Sequence, residues 1–109
     1  MLLTCTANYR TLEALEKLCK VISSDRFEKQ LRKVPRFIQE AVLIWVESVE
    51  TLGIRETRKL KGYHDEPLSG NRRGQRSVRL NRAYRLFYTE DARGAFHLIT
   101  IEEVNKHEY

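Results

Sequence analysis

The sequence has few of the residues that mark secreted or metal-bound proteins. Cysteine occurs twice in 109 residues, at Cys5 and Cys19. Two cysteines are too few for a disulfide framework, and their spacing is not that of a metal site, so we interpret both as small buried apolar residues. No apolar run approaches the roughly 18 residues of a membrane span. The N-terminal stretch also lacks the basic start and long apolar centre of a signal peptide, so we expect a cytoplasmic protein with no membrane association.

Repeats, low-complexity tracts and interdomain linkers are absent as well. The length and the hydrophobic content of 41% therefore indicate one globular domain. The net charge of +5 is unevenly distributed, because residues 55–85 carry ten Lys or Arg against three Asp or Glu, whereas residues 86–109 carry two against five. A concentrated basic charge attracts polyanions, of which nucleic acid is the usual one. A solvated surface or a docking surface for an acidic protein would have the same composition, so the charge leaves all three open.

The first half of the chain predicts a strand followed by two helices. The stretch CKVIS at 19–23 is short and β-branched, which favours a strand. Ser24 or Asp25 is suited to cap the helix that follows, and Pro35 suits the first turn of a second helix. That second helix has the clearest apolar periodicity in the chain, and Gly53 is a natural end for it. Its predicted buried face consists of Ile38, Ala41, Val42, Trp45, Val49 and Leu52.

The second half predicts an antiparallel meander after an irregular stretch at 54–73, which is rich in glycine and turn residues. Strands are predicted near 76–80, 84–88 and 95–101, with turns at 81–83 and 89–94. The order is β-α-α-β-β-β, so we predict an α+β fold in which an α-hairpin packs on a small antiparallel sheet. We expect this domain to span residues 19–109, preceded by an N-terminal extension at 1–18 whose structure the sequence leaves open.

An arginine recurs at every third position in the stretch RGQRSVRLNRAYR, a period that fits neither a helix nor a strand. The repeat therefore samples a loop, a strand, a turn and the returning strand. Alternation in the first strand turns Arg79 away from the core that Val78 and Leu80 face. In the returning strand, Arg85 and Phe87 share one face. If the hairpin register places Arg79 and Arg85 on the same face, the sheet presents a pair of guanidinium groups.

The segment LSGNRRGQRSVRLNRAYRLFY, with the tail VNKHEY, resembles the RelE/ParE superfamily of toxins from bacterial type II toxin–antitoxin systems, most closely the HigB-like branch. The resemblance covers residues 19–109. It implies a ribonuclease without metal or other cofactor that enters the ribosomal A site, cuts mRNA by 2′-OH attack and so inhibits translation. It also implies a cognate antitoxin as partner. A ParE-like DNA gyrase inhibitor without nuclease activity stays open as the alternative, as does a non-toxic protein that only docks a helical partner.

The resemblance also implies roles for individual residues. Arg85 matches the strand arginine that contacts the scissile phosphate, and Arg79 matches a basic position in the preceding strand. His107 matches a tail histidine that acts in proton transfer, and Tyr109 the tail tyrosine of the RelE branch. Lys106 lies beside them and would hold charge on the transition state.

A second set of residues is predicted to attract RNA without cutting it. The departure from the HigB-like pattern at Ser69, where that branch often has lysine, makes neighbouring cations the candidates for the missing charge. Arg76 has an alternative interpretation as a salt-bridge partner. The predicted RNA-binding set is Lys61, His64, Arg72, Arg73, Arg76 and Arg82.

Overall fold

A computed structural model of the chain describes residues 19–93 and 96–106. They form a five-stranded sheet with three helices and two single 3-10 turns. The helices are α1 (Asp25–Leu31), α2 (Arg36–Leu52) and α3 (Ile54–Arg58), and the 3-10 turns are Lys61–Tyr63 and Gly70–Arg72. The strands are β1 (Cys19–Ser23), β2 (Glu66–Pro67), β3 (Gln75–Arg79), β4 (Tyr84–Arg93) and β5 (Phe96–Lys106).

The sheet has the order β1-β5-β4-β3-β2 and is mixed. Strands β3 to β5 pair antiparallel, as the meander predicted. Strand β2 also pairs antiparallel with β3, although its two residues lie in the stretch that was predicted to be irregular. Strand β1 pairs parallel to β5, so the α-hairpin is the crossover between two parallel neighbours. The α+β fold is therefore confirmed, while the prediction of a purely antiparallel sheet is wrong. The parallel partner of β1 lies more than 70 residues further along the chain, so no pattern in the nearby sequence predicts this pairing.

The ends of the helices follow local signals. Ser24 caps α1 by accepting a hydrogen bond from the Phe27 amide at 3.0 Å. Its hydroxyl also donates to the Glu102 carbonyl at 2.9 Å, which ties the start of the hairpin to β5. Pro35 immediately precedes α2, and Gly53 ends it with a φ of 90°, a value that favours glycine. Helix α3 was missed because it has only five residues, fewer than two helical turns.

The core lies between α2 and one face of the sheet. Trp45 is fully buried, and its ring centroid lies 5.2 Å from that of Tyr88 on β4. Cys19 is buried as predicted, whereas Cys5 lies outside the described residues. The other buried apolar residues of the core are Phe27, Ile38, Val42, Val49, Ile54, Val78, Leu86, Ile99, Ile101 and Val104.

The hairpin of β4 and β5 is longer than predicted. The predicted turn at 89–94 is wrong because β4 continues to Arg93, and β5 extends to Lys106 into the predicted tail. Polar residues are tolerated in these strands since an antiparallel sheet can leave one face to solvent. A bulge between Phe87 and Tyr88 shifts the register within the pair. The predicted turn at 81–83 is confirmed, and the Asn81 side chain accepts the amides of Ala83 and Tyr84 at 2.8 Å each.

The N-terminal extension at 1–18 lies outside the described residues, so its structure and the proposed domain boundary stay predictions. Within the described ranges, no helix has the length and apolar character needed to span a membrane.

Candidate functional site

The register of β3 and β4 makes Arg79 and Arg85 direct cross-strand partners. The next pair on the same side is Ser77 and Phe87, and Arg85 Nη1 donates to Ser77 Oγ at 3.1 Å. Because Val78 and Leu86 belong to the core, alternation puts these four residues on the opposite side, away from α2. We call this side of β3, β4 and β5 the outer face. Arg79 and Arg85 therefore share one face of the sheet, as the predicted pair of guanidinium groups requires.

The two guanidinium groups on the outer face, those of Arg79 and Arg85, are close to each other in the strand register. Among the described residues, neither Arg79 nor Arg85 is paired with a carboxylate. Like charges directly opposite each other destabilise a strand pair, so the sheet tolerates a cost at this position. Each guanidinium is planar and can donate to two oxygens of one phosphate. The pair is therefore suited to hold a group with concentrated negative charge.

A third arginine reaches the outer face from the turn that precedes β3. Arg72 ends the 3-10 turn Gly70–Arg72. The turn begins at Gly70, with a φ of 66°, and Gly74, with a φ of 98°, follows it, and such positive values favour glycine. Its guanidinium carbon lies 4.4 Å from the centroid of the Phe87 ring, within cation–π range. The turn thus places the Arg72 guanidinium over β4, the strand that carries Arg85.

Glu103 holds Arg72 in that position. Its carboxylate accepts from Arg72 Nη1 at 3.1 Å and from Nη2 at 3.4 Å, and Gln75 accepts from Nη1 at 2.9 Å. Glu103 is also the β5 partner of Phe87 in the register. Asn105, opposite Arg85, donates to Glu103 at 2.8 Å.

The Glu103 carboxylate stays ionised in spite of its burial. Burial alone would raise the pKa of Glu103, but hydrogen bonds from Arg72 and Asn105 and the positive charges of Arg72 and Arg26 outweigh it, so the pKa lies below its ordinary value. Arg26 contributes from α1, with Nη1 at 3.6 Å from Glu103. Glu103 is thus a fixed anion that neutralises a neighbour and is poorly suited to accept a proton.

Arg76 lies on the side of the sheet that faces the helices. Its Nε is 2.5 Å from Oδ1 of Asp65, whose side chain is only 1% exposed. Asp65 Oδ2 also accepts a hydrogen bond from the Tyr88 hydroxyl at 2.7 Å. This placement matches the salt-bridge interpretation of Arg76 and separates it from Arg79, three residues along the same strand.

Asp65 and Arg76 belong to a larger network that we call the anchor cluster, which consists of Arg58, Asp65, Arg76, Tyr88, Glu90 and His97. Arg58 donates to the Tyr88 hydroxyl at 3.0 Å and to Glu90 at 2.5 Å, and Glu90 meets His97 Nδ1 at 2.5 Å. Burial, followed by the neighbouring Asp65, raises the pKa of Tyr88 and keeps it a neutral donor. The cluster joins α3 and the loop at 59–65 to β3, β4 and β5.

The remaining predicted site residues are scattered. Lys106 is the β5 partner of Tyr84, which packs against the core, so alternation puts Lys106 on the side opposite Arg85. His107 and Tyr109 lie outside the described residues, and their roles stay predictions. The other four are exposed in loops and turns and could attract RNA only in a general way: Lys61, His64, Arg73 and Arg82.

The outer face also contains residues that the sequence analysis did not select. Ser77 and Phe87 follow from strand alternation with Arg79 and Arg85, so the sequence carried a signal for them. Asn105 became visible only when β5 proved to extend past the predicted strand end. Within the described residues, no group of three or more His, Cys, Asp or Glu side chains is placed to hold a metal ion.

Comparison with known proteins finds structural but not sequence relatives. No protein-family model and no curated protein matches the chain. Solved structures do match. YafQ from E. coli aligns with a TM-score of 0.56 at 21% identity, covering 81% of this chain and 92% of its own. The RelBE2 toxin–antitoxin complex from Mycobacterium tuberculosis aligns at 0.59 and 23%, covering 80% and 95%.

A third match, the YoeB dimer from Staphylococcus aureus, aligns at 0.60 and 21% identity, covering 85% of this chain and 99% of its own. The chain has the RelE-like toxin fold. The predicted resemblance to the RelE/ParE superfamily is confirmed as a likeness of fold, while the HigB-like branch stays a prediction. Identities of 21–23% establish the fold and leave the activity to be argued from the site.

Proposed function

We propose that the chain is the toxin of a type II toxin–antitoxin system and cleaves mRNA on the ribosome. The observation that supports this most directly is the pair Arg79 and Arg85, two cross-strand guanidinium groups without a carboxylate partner among the described residues. The repulsion between the two groups destabilises the folded protein, and a bound phosphate would offset that repulsion. The RelE-like toxin fold around the pair supports the same conclusion.

The proposed chemistry uses the RNA's own nucleophile. The ribose 2′-OH attacks the adjacent phosphorus, the bond from phosphorus to the 5′ oxygen breaks, and the products are a 2′,3′-cyclic phosphate and a free 5′-OH. One proton leaves the 2′-OH and one reaches the 5′ oxygen. Arg79 and Arg85 would stabilise the charge that builds on the phosphorane oxygens. His107 and Tyr109 stay the predicted groups for moving the protons.

A cognate antitoxin is the proposed protein partner. Several structural neighbours are complexes of this kind, including DinJ–YafQ from E. coli and YoeB–YefM from Staphylococcus aureus. The charge distribution of this chain would suit an acidic segment of such a partner, since residues 55–85 carry seven more basic than acidic residues. In this role the protein would act in the cytoplasm, where ribosomes and message are found.

The proposal is tested by inducing the wild type and Arg85→Ala in bacteria while growth and message integrity are followed together. We expect wild-type protein to stop growth and to create new message ends inside translated codons, detected by primer extension. Arg85→Ala should reduce cleavage by about 100-fold or more, as loss of one preorganised donor to a transition state does.

Arg36→Ala is the matched control. It removes an arginine that is exposed on α2 and paired only loosely with Glu40 at 3.7 Å, so cleavage should be unchanged. Intact message at a toxic dose of the wild type would contradict the proposal. If the purified protein then inhibited DNA gyrase, the ParE-like alternative would take its place.

A further inference from the structure

We propose that Arg72 is a stacking platform for a nucleobase and helps to decide which base lies beside the phosphate held by Arg79 and Arg85. This inference rests on the proposed function, because it names a substrate contact within the same site. It assigns Arg72 a role different from the general phosphate attraction that its charge alone would predict.

The first support is the rigidity of the Arg72 guanidinium plane. One of its faces rests on the Phe87 ring, with 4.4 Å between the guanidinium carbon and the ring centroid. Its edge is held by both carboxylate oxygens of Glu103 and by Gln75. An arginine side chain normally loses substantial rotamer entropy when it binds a ligand, and here that loss has already occurred.

The second support is the accessibility of the plane. The Arg72 side chain keeps 40% of its surface exposed, although its edge and one face are occupied. Single-stranded RNA is recognised largely by stacking its bases on aromatic rings and on guanidinium planes. A guanidinium that is backed by a ring and belongs to a side chain with this exposure can offer such a surface.

The third support is charge. Glu103 neutralises Arg72, and its low pKa keeps the carboxylate ionised. A phosphate at this position would meet that carboxylate, whereas a neutral base would not be repelled. Arg79 and Arg85 have no such partner among the described residues, so the phosphate belongs with them. The outer face thus divides into a charged half and a neutralised, planar half.

The two halves lie at the spacing of neighbouring strand residues. Phe87, beneath Arg72, follows Arg85 by two positions on β4, a rise of about 7 Å along the strand. Ser77 links them, since it pairs with Phe87 in the register and accepts from Arg85. One nucleotide can bridge this distance, with its phosphate at the arginine pair and its base over Arg72.

The test measures base discrimination in binding rather than cleavage. Short single-stranded RNA with one 2′-deoxy residue at the cleavage position cannot be cut, and its affinity is compared with that of the same strand made abasic at each position in turn. We expect one abasic position to weaken wild-type binding about 10-fold, in line with the effect of stacking one base. We call the affinity for the intact strand divided by that for the abasic strand the ratio. Arg72→Lys keeps the charge but loses the planar group, and should reduce this ratio to about 2-fold.

Arg73→Lys is the matched control, because it makes the same exchange at the adjacent exposed arginine. Whatever it does to overall affinity, the 10-fold ratio should remain. Phe87→Leu keeps an apolar side chain but removes the supporting ring, and should lower the ratio as Arg72→Lys does. This second variant keeps the test decisive if Arg72→Lys proves unstable.

The outcomes separate this inference from the proposed function. A ratio that survives both Arg72→Lys and Phe87→Leu, or that falls equally in Arg73→Lys, overturns the platform even if wild-type protein cleaves message. Wild-type protein that binds none of the strands overturns the platform too. If it also leaves message intact in cells, the proposed function falls with it.

Discussion

The two sides of the sheet use arginine in opposite ways. On the side facing the helices, Arg58 and Arg76 meet carboxylates at 2.5 Å and belong to the anchor cluster. On the outer face, Arg79 and Arg85 lie opposite each other without a carboxylate among the described residues. The same residue type therefore stabilises the fold on one side, whereas on the other side Arg79 and Arg85 have no carboxylate partner within 19–93 and 96–106.

The difference accounts for one step of the arginine repeat, the step from Arg76 to Arg79 within β3. Successive strand residues alternate between faces, so a step of three reverses the face. Within β3 the step from Arg76 to Arg79 moves from the anchor cluster to the outer face. A single short strand therefore contributes both a structural and a candidate functional arginine, and identical side chains three residues apart should respond differently to mutation.

Removing the acid of the anchor cluster should have the largest effect on stability. Asp65→Ala leaves Arg76 and Arg58 without their shared buried partner, and breaking such a pair costs about 3 kcal/mol or more. Urea unfolding followed by circular dichroism measures this loss. Glu56→Ala is the control. It breaks the exposed pair between Glu56 on α3 and Lys59, the residue that follows this helix, and should cost about 0–1 kcal/mol. If the two variants lost equal unfolding free energy, the anchor cluster would not contribute to stability as proposed.

The two arginines of β3 provide the sharpest contrast. Arg76→Ala removes a charged hydrogen bond to Asp65 and should cost about 2 kcal/mol of unfolding free energy. Arg79→Ala relieves repulsion with Arg85 and should change stability by about 0.2–1 kcal/mol in the favourable direction, while cleavage of message falls. Unfolding curves and the cleavage assay on both variants check this. A destabilising Arg79→Ala would contradict the division between the faces.

Acid should weaken the anchor cluster through Glu90, with the smallest of the three effects. Burial alone would raise the pKa of Glu90, but Arg58 and His97 outweigh it and lower the pKa below its ordinary 4.5. The stability that Glu90 contributes is therefore present above about pH 4.5 and lost as the pH falls through the lower folded-state pKa. Between pH 6 and pH 3, Glu90→Gln should lose less unfolding free energy than the wild type, and parallel curves would refute this.

Much of the fold could be predicted because its signals are local. The cap at Ser24, the start of α2 after Pro35 and its end at Gly53 depend on side chains within a few residues. The short α3 was missed because five residues give no measurable periodicity, and β4 was cut short because its polar residues resembled a turn. In both cases tertiary packing decided the conformation against the local preference.

The candidate site was predictable in part for the same reason. Alternation alone turned Arg79 away from the core, so half of the arginine pair followed from the sequence. The placement of Arg72 did not, because its contacts to Phe87 and Glu103 join residues 15 and 31 positions away. The assignment of Arg76 likewise needed Asp65, which reaches it from a loop 11 residues earlier.

Local patterns in the sequence were enough to predict β1, the two longer helices, the three-strand meander and the basic character of residues 55–85. They also predicted the buried side of α2 except at Leu52, which is exposed, and the alternation that separates Arg76 from Arg79. Three features depend on contacts between distant parts of the folded chain: the parallel pairing of β1 with β5, the position of Arg79 opposite Arg85, and the choice of which arginines are neutralised. The two groups of features differ in how far apart along the chain the interacting residues lie. Helix caps and strand alternation act over a few residues, whereas strand register and ion pairs are fixed by groups that only the folded chain brings together.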